Sequence, residues 1–118
     1  MAKEASEPEA TVDTDSPQTA LDFFERGWRH YSKHDYPSAE ADFKKSLEIS
    51  PDYVDAVYGL GMAYQASGQP KEAVEAFQKV ITLLEQSPIE DISRARMLVR
   101  FSRGHINRIQ TGDWHIES

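Results

Sequence analysis

At 118 residues the chain has the length of one domain, and its 20 Asp and Glu against 13 Lys and Arg leave a net charge of −7. That balance argues against the chain as a whole coating nucleic acid or an anionic membrane, because neutralising phosphate needs a surplus of Lys and Arg. Cysteine is absent, which removes disulfides, thiolate nucleophiles and Cys-based zinc sites together. No apolar run approaches the ~20 residues that span a bilayer, and residues 1–19 lack the apolar core of a secretory leader, so a soluble, cytoplasmic protein is expected.

In chain order, residues 1–18 come first. They carry Glu4, Glu7, Glu9, Asp13 and Asp15 against Lys3 alone, with Pro8 and Pro17 and little to bury. Such a segment cannot offset its ordering entropy and is expected to be disordered. The folded part, 19–118, begins at a cap supplied by Ser16 or Thr19, with Pro17 suited to a first turn. Helices are predicted at about 19–33, 37–49, 53–67, 70–86 and 90–110. They are separated by turn signals at His34-Asp35-Tyr36-Pro37, Ser50-Pro51-Asp52 and Ser67-Gly68-Gln69-Pro70.

Comparing the chain with itself reveals a repeat. A shift of 34 residues superimposes Gly27 on Gly61, Ala39 on Ala73, Phe43 on Phe77 and Lys45 on Lys79. The second copy, about 54–87, has Val57, Leu60, Gly61 and Tyr64 followed by Ala73 and Phe77. This spacing resembles the Trp-x2-Leu-Gly-x2-Tyr and Ala-x3-Phe helices of the tetratricopeptide-repeat family. The first copy, about 20–53, has Phe23, Gly27, His30, Ala39, Phe43 and the closing Pro51. It departs at Arg26, where the family usually has leucine; the second departs at Glu85, where proline is usual. The expected fold is therefore all-α: an α-solenoid fragment of two helix-turn-helix units plus a further helix. Glycine and alanine admit close helix approach, and Phe43 and Phe77 fill the space between pairs.

The fifth helix shows apolar steps of three and four at Ile92, Ala95, Val99, Ser102, Ile106 and Ile109, widened by Leu98, Phe101 and His105. It looks like the first half of a third unit. Arrays need about three units or a cap, and the preferred expectation is that this helix is the cap; homodimerisation through its uncovered side is the alternative. Its polar side carries Arg94, Arg96, Arg100, Arg103 and Arg108 and no acid. Arg96, Arg100 and Arg103 fall on one stripe, expected to be a solvated face, with an acidic partner, the chain's own acidic N-terminus or nucleic acid as sharper readings.

Function, by the resemblance, is protein–protein interaction in a groove lined by the first helix of each pair. The family's ligand-facing positions fall on Leu21, Phe24, Trp28 and Tyr31 in the first unit, and on Asp55, Tyr58, Met62 and Gln65 in the second. Large rings with polar handles suit a peptide-binding surface. Phe24 and Trp28 stand where the family's carboxylate clamp would have Lys and Asn, so apolar anchors on an extended or helical ligand fit better. Replacing Trp28 and Tyr58 with Ala is expected to abolish binding while leaving helicity intact. His30 and His34 share a spacing seen in metal pairs, but His30 occupies a packing slot. Asp35, Asp52 and Asp55 sit where helix caps explain a carboxylate. Neither a phosphate-cradling loop nor a nucleophile with a placed base is present, so no enzyme, metal or cofactor is expected.

Overall fold

A computed structural model describes residues 16–86 and 90–112. Among these residues there are five helices and no strand: α1 (Ala20–Ser32), α2 (Tyr36–Ile49), α3 (Val54–Ala66), α4 (Pro70–Gln86) and α5 (Ile92–Thr111). Each lies within two residues of its predicted bounds. The disorder expected for the N-terminal segment falls, for residues 1–15, outside the described residues, as does Trp114 of the C-terminal turn.

Local chemistry sets the helix ends. Thr19, not Ser16, opens α1: its hydroxyl accepts from the Asp22 amide at 3.0 Å while the Asp22 carboxylate accepts from the Thr19 amide at 3.2 Å, a reciprocal capping box. Asp35 caps α2, accepting from Ser38, and Asp91 caps α5, accepting from Arg94. Of the three acids placed at helix ends from sequence, Asp52 caps nothing, and Asp55 lies in the first turn of α3 and pairs elsewhere. Gly68 and Gly112 adopt the left-handed conformation that ends a helix without steric cost. His34 adopts it too, at φ 65°, and stands 34 residues before Gly68, so both hairpin turns share one backbone shape.

Consecutive helices pack in chain order, and α1 also touches α3 directly. The molecule is thus two antiparallel hairpins with a fifth helix against α4. One apolar cluster is built on Ala39, Phe43 and Ala63, with Phe24, Trp28, Tyr31 and Leu60 against it. The second joins Val54, Val57, Ala76, Val80, Leu84 and Leu98. Phe43 and Phe77 are completely buried, and a ring of that size contributes roughly 1.5–3 kcal/mol on burial. The rings sit where side chains are missing. A methyl on Gly27 would stand 2.7 Å from Phe43, and one on Gly61 would stand 2.8 Å from Phe77. Gly59, which lies outside the repeat pattern, meets Phe43 from the other side at 2.8 Å.

The departure at Arg26 has its own compensation. Its guanidinium donates twice to Asp42 of α2, from Nε at 3.0 Å and Nη2 at 2.9 Å, and Asp42 is only 4% exposed. A paired-ion tie between α1 and α2 replaces the apolar contact, and His30 approaches the same carboxylate at 3.5 Å.

Helix α5 ends the array by a change of surface. On α3, Gly59 and Ala63 pack back on the preceding hairpin, while Val57, Leu60, Gly61 and Tyr64 form the sector turned to α4. On α5, Leu98, Ser102 and His105 are the buried sector packed back on the preceding pair. Helical spacing then puts Arg96, Arg100 and Arg103 where α3 has Val57, Gly61 and Tyr64. All three arginines are exposed. A sector that would seat a further helix is instead solvated, as a terminal repeat requires. Ile92, expected in the apolar stripe, is 62% exposed, because it falls in this same sector.

Candidate interaction face

Contacts on two sectors of α3 leave a third, which holds Asp55, Tyr58, Met62 and Gln65, all half-buried. On α1, the residues singled out from sequence divide. Phe24, Trp28 and Tyr31 form a continuous row: Phe24 meets Trp28 edge-on at 6.3 Å, and Trp28 meets Tyr31 at 5.1 Å. Leu21 is 50% exposed at the start of the helix, outside the row. The row is not free surface alone, since Phe24 and Trp28 also rest on Phe43 at 6.1 and 5.3 Å. Two further rings extend it at its ends, Tyr53 beside Phe24 and Tyr36 beside Tyr31, at 5.1 and 5.2 Å.

Tyr58 links this row to α5. Its ring packs on Phe77 at 5.6 Å, and its hydroxyl shares a 3.0 Å hydrogen bond with Nε2 of His105. Burial first, then the nearby Tyr31 hydroxyl, raises the Tyr58 pKa, which puts the two phenols close across the α1–α3 boundary. His105 stacks flat on Phe77 at 4.6 Å, 11° between planes. Burial, then the charge of Arg108, pushes His105 down from 6.5 to about 4, so it stays neutral at pH 7. At one end of the face the Arg94 guanidinium donates to Asp55. Burial is the main reason the Tyr53 hydroxyl titrates high; Asp55 and Glu25 add to the effect and Arg94 opposes it. The first turns of α1, α3 and α5 therefore meet there.

The structure adds α5 residues that the sequence reading left out of this face. The register that aligns Leu98 with Gly59 puts Met97 and Phe101 where α3 has Tyr58 and Met62, and they are 47% and 37% exposed. The 34-residue period would have pointed to other residues, because α5 is displaced from that period by five positions.

The histidine pair does not converge: His30 turns to Asp35 and Asp42, while His34 lies against the Tyr36 ring. Among the described residues no cluster of His, Asp and Glu is placed to hold a metal. Nor is any helix of the described residues long and apolar enough to cross a membrane.

Comparison with known proteins agrees with this architecture. A family model described as a tetratricopeptide repeat matches residues 30–88, half of the chain. The small glutamine-rich tetratricopeptide repeat-containing protein 2 of Saccharomyces cerevisiae is 32% identical over 78 residues, 66% of this chain and 22% of that protein. The cellulose synthase operon protein C of Pseudomonas fluorescens is 33% identical over 81 residues, 68% of this chain and 6% of its own length. This chain thus corresponds to a small part of either relative.

Proposed function

Because the chain belongs to the tetratricopeptide-repeat family, we propose that it is a small protein-interaction module whose partner lies along the face made by α1, α3 and the outer turn of α5. One observation carries the reading: the ring row Phe24, Trp28, Tyr31 runs toward Tyr58 and is followed by Met62, Met97 and Phe101. Rings with few rotatable bonds bury large area at low entropic cost, which is how a few residues come to dominate an interface. Arg94 on this face is tied to Asp55, and Phe24 and Trp28 stand where a carboxylate clamp needs Lys and Asn. The ligand that suits it is an extended or helical segment with apolar anchors, to which Tyr31 and Gln65 offer hydrogen bonds.

Trp28 and Tyr58 also support the core, so replacing both with Ala would cost stability as well as contact. Met62→Lys is the cleaner probe, since it sets a cation among the rings on a half-buried position. Affinity capture from host lysate, at moderate and at high salt, is expected to lose the partner with this variant while the melting temperature holds. A partner retained at full strength by Met62→Lys would move the site off this face.

A further inference from the structure

Helix α5 is the only described helix with no acidic residue, and its five arginines are not equivalent. Arg94 is committed to Asp55, and Arg108 stands beside His105. Arg96, Arg100 and Arg103 are exposed, with no ion pair to any described carboxylate. They follow i, i+4, i+7 and so form one stripe along two turns, about 10 Å long. Asn107 extends the stripe, and Arg103 lines a cleft with Gln78, Asn107 and Gln110 in which Glu85 is the one acid.

From this complementarity we infer that the stripe is the docking site of the chain's own residues 1–15, which carry five acids against Lys3 alone. Three considerations select this occupant. A second copy presenting the same sector would oppose three arginines to three arginines, which like charge disfavours. The folded remainder of the chain is itself acidic, which disfavours a long polyanion but does not affect a short segment held locally. The segment also starts at the right end: the first turns of α1, α3 and α5 meet around Tyr53, and 15 extended residues reach up to about 50 Å. Tethering supplies an effective concentration on the order of millimolar, enough for exposed charge pairs too weak to hold a free peptide. The docking covers the sector that ends the array and leaves the α1–α3 face open, so it is independent of the proposed partner site.

The chain lacks cysteine, so an Ala10→Cys substitution accepts a single nitroxide label in the full-length protein. At low salt the label is expected to broaden amide resonances across residues 96–107. The broadening should vanish when Arg96, Arg100 and Arg103 are changed to Gln, when the five tail acids are changed to their amides, or at about 0.5 M salt. A mixture of labelled and isotope-enriched unlabelled protein should show no transfer of the effect between molecules. Broadening confined to the start of α1, or lying along α1 and α3 and indifferent to salt, would overturn the inference. So would broadening that appears only between molecules.

Discussion

At Gly59 a methyl group would meet two atoms of the Phe43 ring at 2.8 Å. Alanine gains up to about 1 kcal/mol in helix propensity over glycine, but overpacking a rigid ring costs typically 1–3 kcal/mol. Gly59→Ala is therefore expected to lower the unfolding free energy by about 1 kcal/mol in urea titration; a stabilised variant would show that Phe43 has room to yield. Arg26 supplies a second case. Arg26→Leu restores the family's usual residue, yet it strands a carboxylate that is 4% exposed. The single change should cost about 2 kcal/mol, with Asp42→Leu added to it recovering most of the loss; equal losses in the single and double variants would contradict the pairing. These two sites mark the limit of pattern reading. Gly27 and Gly61 are visible because each repeats after 34 residues, whereas Gly59 aligns with Glu25 and carries no such signal. Asp42 was invisible because its partner lies 16 residues away across a turn, a separation no helical period reports.

Among the elements, α1 to α4 were legible because apolar spacing, turn residues and period agreed. Helix α5 was legible as a helix but not in its register. The family period assigns outward positions by counting 34, and the longer connection before α5 displaces them by five. That displacement buries His105 against Phe77 and leaves Arg96 outside. The buried imidazole has a measurable consequence. Its folded pKa of about 4 lies below the 6.5 of the free group, so between those values the unfolded chain binds more protons and stability falls as pH falls. Neutral His105 contributes its full share above pH 6.5 and loses it progressively toward pH 4. His105→Phe keeps a ring on Phe77 and removes the titration. On lowering the pH from 7 to about 5, this variant is expected to lose less stability than the parent, by on the order of 1–2 kcal/mol; parallel losses in denaturant titrations would mean that the imidazole accepts its proton in the folded state.

For the whole molecule, the two hairpins and their cap divide the surface by chemistry. Rings and thioethers gather where α1, α3 and α5 run side by side, and arginines cover the sector where a sixth helix would have packed. The ring row on α1 was readable from its i, i+4, i+7 spacing, while its continuation onto Met97 and Phe101 required the fold, because those residues share a face with Tyr58 only once α5 is in place. The central claim is that the partner lies on the ring-lined face and not on the outer helices. It is tested most directly by placing a photo-activatable cross-linking residue in turn at Met62 of α3 and at Lys79, which is exposed on α4, and irradiating each protein in host lysate. The account predicts a discrete adduct from position 62 and none from position 79. An adduct from position 79 with none from position 62 would contradict it and place the interaction on the opposite side of the array.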